Sequence, residues 1–251
     1  MGYTAAVASD LKLTLKRERH LPMRGASAVA AVDGALFVVE DDQGIYRVTE
    51  RRAPLWASRD LHPALGDLEG LAVDEKQTML WALSEEDGAV FAISLDTKSP
   101  RPTIIGHLPR PGTMKNKGFE GLAFLPARFS PSGRASLVAV HEDKPRSVGV
   151  FVLPDLEQTH DLTLPDEAKE LLKDLSDVTV DPVTGQLLLL SDRSQRVVLA
   201  RIAGKQLTVS ASHDLALGRD EKPEGLDFAS PSLLLVVTDD AAKLLEMEVR
   251  R

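Results

Sequence analysis

The chain has 251 residues, with 30 Lys and Arg against 38 Asp and Glu and a net charge of -8; that balance excludes a nucleic-acid backbone or an anionic membrane surface as its main partner. It has no cysteine, which excludes a disulfide framework, a thiolate nucleophile and a Cys-based zinc site. No run approaches the roughly 18 apolar residues of a membrane span, and the opening MGYTAAVASD lacks a basic region followed by a long apolar stretch, so the chain is expected to be cytosolic or to have lost a targeting segment, the Met-Gly start favouring the second.

In chain order, the first candidate strand is LKLTLKRERHLP (11–22), which alternates apolar and polar residues. ASAVAAV (26–32) follows, then ALFVVE after an Asp33-Gly34 turn, GIYRVT, and a polar and leucine run ending in RDL. The same succession recurs. DLEGLAV (67–73) leads to MLWALS, AVFAIS and GHL; FEGLAFL (119–125) leads to SLVAVH, GVFVLP and LTL. LSDVTVD (175–181) leads to QLLLLS, RVVLARI and HDLAL, and PEGLDFA (223–229) leads to LLLVVT and KLLEMEV.

Aligned on their second positions, Ser27, Glu69, Glu120, Ser176 and Glu224 head five units. They lie roughly 50 residues apart, a period that belongs to propeller blades rather than to the shorter rungs of a β-helix. The second stretch of each unit is nearly all apolar, as a strand sandwiched between neighbouring blades requires. Four strands per unit make one blade. The last unit lacks its fourth strand, and the alternating stretch 11–22 supplies it, removing a sheet edge that would invite aggregation. The fold class expected is therefore all-β: one domain over residues 1–251, a five-bladed β-propeller of four-stranded blades with its last blade closed by the N-terminal strand. Two departures interrupt the repeat, an extended hairpin at PARFSPSGRA and a short helix over 166–174.

The inner strand of a propeller blade begins at the top of the central channel, so the repeated second position becomes a ring. That ring reads Ser27, Glu69, Glu120, Ser176, Glu224, all oxygen donors. The glycine after each glutamate lets backbones crowd near the axis. One reading is local: each glutamate caps backbone groups at a strand start. The other is electrostatic. Carboxylates roughly 6 Å apart repel by about 2 to 3 kcal/mol per pair at an effective dielectric near 20, so the ring must protonate or hold a cation. Hard oxygen donors favour calcium, with magnesium second.

A second acidic set ends the middle strands on the same face: Glu40-Asp41-Asp42, Glu85-Glu86-Asp87, Glu142-Asp143, Asp192 and Asp239-Asp240. Glu40, Glu85, Glu142, Asp192 and Asp239 are candidates for outer ligands or ligand contacts. Lys115, Lys117, Lys144, Arg146, Arg193 and Lys222 are interleaved with them, either as ion-pair partners or as contacts for an anionic ligand. His141 beside Glu142 is either a structural histidine or a general base. No GxSxG, HExxH, phosphate loop or EF-hand spacing occurs.

With GFEGLA, the DLEG and PEG repeats and LLLLSDRS in view, the chain resembles the SdiA-regulated (YjiK-like) family of bacterial proteins over nearly its whole length. The resemblance implies a propeller related to NHL-repeat proteins, a calcium site, and a periplasmic or other cell-envelope location behind an N-terminal anchor. It carries no catalytic activity. Two departures are visible: Asp177 stands where a glycine is expected after Ser176, adding a charge near the ring, and the anchor is missing from this sequence. A more distant likeness is to phytase-like esterases and calcium-dependent lactonase propellers. Two functions follow. The first is a monomeric, non-catalytic calcium-binding module with Glu69, Glu120, Glu224, Ser27, Ser176 and Asp177 about the metal, presenting its crown to a small-molecule or protein ligand. The second is a metal-dependent phosphoesterase or lactonase with His141 or Glu142 as base.

Overall fold

The short apolar stretches, bounded by turns, pair with their neighbours in sequence because two-residue and slightly longer turns return each strand against the last. The computed structural model describes residues 12–23, 25–40, 43–48, 55–57, 67–97, 101–109, 118–142, 145–239 and 242–251. β1 (Lys12–His20) precedes the first blade, which comprises β2 (Ala28–Val32), β3 (Ala35–Glu40), β4 (Gly44–Arg47) and β5 (Trp56–Ala57). The second blade is β6 (Leu68–Val73), β7 (Met79–Ser84), β8 (Ala89–Ser94) and β9 (Thr103–His107). The third is β10 (Phe119–Leu125), β11 (Ser136–His141), β12 (Ser147–Val152) and β13 (Glu157–Thr163). After α1 (Asp166–Leu171) comes the fourth: β14 (Asp177–Val180), β15 (Leu187–Ser191), β16 (Arg196–Ala203) and β17 (Gln206–Asp214). The fifth joins β18 (Pro223–Ser230), β19 (Leu233–Thr238) and β20 (Lys243–Arg250) to β1, in the order β1-β20-β19-β18. The fold is a five-bladed β-propeller. The RDL run expected at the end of the first blade lies outside the described residues.

Side-chain alternation explains the layering. β11 and β15 are buried along their whole length, since both faces meet a neighbouring blade. The outer β1, β9 and β13 are largely exposed or half-buried. Five apolar clusters lie between successive blades, and the one joining the fifth blade to the first holds Val29 and Val38 against Leu235 and Val237. The inner strands β2, β6, β10, β14 and β18 each contact the next, with β18 returning to β2.

The helix is shorter than the sequence pattern indicates. Leu172 leaves helical geometry (φ -113°, ψ 113°), so the chain straightens before Asp174. Buried Ala168 and Leu172 anchor α1 in the cluster between the third and fourth blades, while Asp166 and Glu167 favour its N-terminal end.

Closure of the fifth blade is a register of antiparallel pairs from Lys12↔Arg250 to His20↔Lys243. The ion pairs across it, Lys16–Glu248 at 2.9 Å and Lys243–Glu18 at 2.8 Å, are partly exposed and add little. Arg251 makes a stronger tie. Its guanidinium meets the fully buried Asp181 of the fourth blade, with Nη2 2.6 Å from Oδ1 and Nε 3.2 Å from Oδ2. Deleting residues 1–21 should bare the β20 edge. Light scattering should then show self-association, and the melting transition should broaden and fall; a monomer of unchanged melting temperature would refute this account of closure.

Candidate metal and ligand site at the channel mouth

The question raised by the Glu-Gly repeats is why a strand that wants burial carries a carboxylate at its second position. The register answers it. Leu68 pairs with Ser84 but Gly70 already pairs with Leu83; Phe119↔His141 is followed by Gly121↔Val140, and Pro223↔Thr238 by Gly225↔Val237. Each of Glu69, Glu120 and Glu224 is thus the extra residue of a β-bulge. A bulge bends the strand and re-aims a side chain, and here all three side chains reach one cavity at the top of the channel.

The glycine that follows has a separate task. A Cβ on Gly70 would lie 2.7 Å from Leu122 Cβ, one on Gly121 2.4 Å from Asp177 Cα, and one on Gly225 2.7 Å from Ala28 Cα. Any side chain there would drive the next blade outward. The bulge aims the acid, and the glycine admits the neighbour.

The cavity measures about 260 Å³. Its inner wall is the expected ring of Ser27, Glu69, Glu120, Ser176 and Glu224, and its outer wall contains Glu85, Glu142, Asp192 and Asp239 from the ends of the middle strands. Asp67, which opens the DLEG motif, lines it as well. Ser176 donates to the Pro223 carbonyl (3.1 Å), fixing the fourth blade to the fifth beneath the ring.

Two carboxylate groups are distinguishable by their mutual effects. Burial pushes Glu120 well above the usual carboxylate range, and the charges of Glu69, Glu85 and Glu142 push it further. It also hydrogen-bonds Glu85, whose own carboxylate accepts the Gly118 N–H at 2.9 Å. On the other side, burial first and then Asp192 and Asp239 raise Glu224 to about 8, with Lys222 opposing. Asp192 rises to about 7 through burial and then its hydrogen bond with Asp174, opposed by Arg193.

Arg193 joins the two groups, reaching Glu142 at 2.9 Å and Asp174 at 3.0 Å. Asp174 is buried and also accepts the Ser191 hydroxyl. The repeat does not mark it, because it precedes its blade.

Three residues assigned to the crown from sequence point elsewhere. Asp177 is 1% exposed, and its carboxylate accepts the N–H groups of Val178 (2.7 Å) and Leu226 (2.8 Å) and that of Leu122. It bridges three inner strands within the channel. His141 is 2% exposed, holds Nδ1 3.1 Å from the Pro145 carbonyl, and meets the Phe119 ring edge-on; it does not line the cavity. Glu40 sits outside the cavity wall beside the Tyr46 hydroxyl, which burial and then this carboxylate raise to about 12. Of the basic residues, Lys222 stands 3.9 Å from Asp239 and Arg146 donates to the Leu172 carbonyl. Lys115, Lys117, Lys144, Asp41, Asp42, Asp143 and Asp240 lie outside the described residues.

All the side-chain donors of the cavity are oxygens, the chemistry that hard cations require. Among the described residues, however, no three His, Asp or Glu side chains converge closely enough to hold an ion between them. The donor set fits calcium in kind; the carboxylates meet at most in pairs, as Glu120 does with Glu85.

Fold and site together define a five-bladed propeller with an acidic crown at one channel mouth. The chain belongs to the SdiA-regulated family, which it matches over residues 64–239. No curated protein sequence matches it. Among solved structures, Myxococcus xanthus glutaminyl cyclase aligns at TM-score 0.62 and 14% identity, covering 94% of this chain and 96% of that one. The PQQ-bound aldose sugar dehydrogenase of Streptomyces coelicolor aligns at TM-score 0.62 and 15% identity, covering 96% and 99%. A Bacteroides thetaiotaomicron protein of unknown function aligns at TM-score 0.62 and 13% identity, covering 96% and 76%. At these identities the likeness establishes the fold, and the two enzymes named carry different chemistry on it.

The raised carboxyls fix the direction of pH dependence. Glu224 at about 8 and Asp192 at about 7 hold protons in the folded state that the unfolded chain releases near pH 4. Stability of the metal-free protein should therefore fall as pH rises from about 5 through 8. Thermal melts in chelator should show the decline, and Glu224→Gln should flatten it while adding on the order of 1 kcal/mol at pH 8, after allowing for solvent screening.

Proposed function

We propose that this chain is a calcium-binding propeller module of the bacterial cell envelope that presents its acidic crown to a small-molecule or protein ligand, without catalysis of its own. The observation that carries this reading is the single cavity walled by carboxylates whose proton affinities are raised by burial and by one another. Such a wall is under repulsion, and a cation relieves it. Calcium, or magnesium as second choice, would supply the positive charge that the ring lacks. Glu69, Glu120 and Glu224 would hold it after turning inward from their bulges, with Ser27 and Ser176 as neutral donors. Glu85, Glu142, Asp192 and Asp239 would orient these groups or meet the ligand. Arg193 beside Glu142 and Lys222 beside Asp239 would meet an anionic portion of that ligand. The envelope location rests on the family.

The hydrolase alternative is less well supported. Its candidate bases are His141 and Glu142, and the first is buried against Phe119 while the second is paired with Arg193. Neither is a free base facing the cavity.

Calcium at about 100 times its Kd stabilises a folded state by roughly 2.7 kcal/mol, a rise of several degrees in melting temperature for a domain of this size. Glu120→Gln should weaken calcium binding about tenfold and raise the melting temperature of the chelated protein. Calorimetric titration and paired melts measure both. If calcium leaves the melt unmoved and Glu120→Gln only destabilises, the bulge glutamates are structural.

A further inference from the structure

The opposite end of the channel holds a larger cavity of a different character. It measures about 410 Å³ and is lined by the far ends of the inner strands and the hairpin turns that follow them. Leu71, Leu122, Phe124, Val180 and Phe228 give it apolar walls, and Phe124 is held flat against Trp81, with ring centroids 5.4 Å apart. Its size lies within the range of roughly 300–1,000 Å³ typical of small-molecule sites.

The charged groups around it are mostly spent. Asp74 caps its own turn, accepting from Thr78 and Met79. Glu75 pairs with Arg128, which lies over the Phe129 ring and reaches the Pro182 carbonyl across the mouth. Asp227 differs. Its Oδ2 accepts the Ala31 N–H at 2.9 Å and its Oδ1 the Thr179 hydroxyl at 3.2 Å, and it also accepts the Phe228 N–H. Those bonds fix the carboxylate in place, yet an ionised carboxylate has about four acceptor positions. No Lys or Arg among the described residues pairs with it. Burial lifts it to about 6, and the neighbouring buried carboxylate is Asp177 rather than a cation.

A fixed anion without a counter-ion, set among apolar walls, selects its ligand by chemistry. A metal ion is disfavoured because calcium needs 6–8 oxygen ligands, and Asp227, already accepting three hydrogen bonds, has little acceptor capacity left. An anion is disfavoured because Arg128, the basic side chain of the wall, is already neutralised by Glu75. We propose that the lower mouth of the channel binds a small organic ammonium ion, its N–H donating to Asp227 and its apolar body resting against Leu122, Phe124 and Phe228. This site is separate from the acidic crown and stands whether or not the crown takes calcium.

Phenethylammonium is a suitable probe, with 2-phenylethanol as its neutral and 3-phenylpropionate as its anionic counterpart. Calorimetry or saturation-transfer NMR on the full chain should show the ammonium binding at least about tenfold more tightly than either counterpart, a difference of about 1.4 kcal/mol. Ala229→Trp fills the mouth from an exposed position without touching the bonds of Asp227 and should reduce binding about tenfold or more. Asp227→Asn should do the same; if it fails to fold, Ala229→Trp decides. A double Glu120→Gln and Glu224→Gln variant separates this site from the crown and should bind the ammonium as the parent does. The proposal is overturned by no binding at millimolar probe, by equal binding of the carboxylate, by binding that survives Ala229→Trp, or by binding that is lost in the crown variant.

Discussion

The constraint on which this structure depends is the crowding of five inner strands around one axis. Each inner strand is the edge of its sheet, and its N–H groups toward the channel have no ladder partner. Buried amides must find acceptors. Asp177 and Asp227 provide them. Asp177 accepts from the third, fourth and fifth blades through Leu122, Val178 and Leu226. Asp227 binds the first blade at Ala31 and the fourth at Thr179. Between them the two carboxylates span four of the five inner strands. Gly121 leaves the space that Asp177 occupies, since a Cβ there would lie 2.4 Å from the Asp177 Cα.

The same crowding shapes the acidic mouth above. Glycine at the third position of a unit brings the next blade in, and the bulge one residue earlier turns a glutamate out of the sandwich and over the channel. Tight closure and the cluster of like charges therefore have one origin. The free energy of repulsion at the crown is offset by apolar burial between every pair of blades, by the β1–β20 pairing and by the Arg251–Asp181 tie. A fold closed this firmly tolerates protonated or repelling carboxyls at one end and an uncompensated Asp227 at the other. The two mouths differ in kind: one is a polar wall of many acids, the other an apolar pocket with a single anchored one.

Much of the fold was legible in the residues. The Glu-Gly repeats, the wholly apolar middle strands and the alternation of 12–20 locate the blades and the closing strand, and the structure agrees with them nearly element by element. The ring of second positions was also legible, since recurrence at blade spacing requires a shared place in the ring. The fourth unit exposed the limit of that logic. Asp177 occupies the glycine position of the repeat, which placed it at the crown, but in the channel it faces unpaired amides of two neighbouring blades and turns to them. Glu40 and His141 illustrate the same limit: one turns to Tyr46 and the other packs on Phe119. Asp67 and Asp174 lie outside the repeat pattern and reach the crown region only through the path of the chain.

By itself the sequence determined the number of blades, their order, the strand that closes the ring and the oxygen-only chemistry of its upper end. Those follow from side-chain period and residue type, which are local properties repeated along the chain. The tertiary structure alone decided which acids face the cavity, which became internal acceptors, and that a second, apolar cavity ends in Asp227. The direction of a side chain at a bulge or a channel edge depends on how closely the next blade approaches, and that distance is set by packing between segments far apart in sequence.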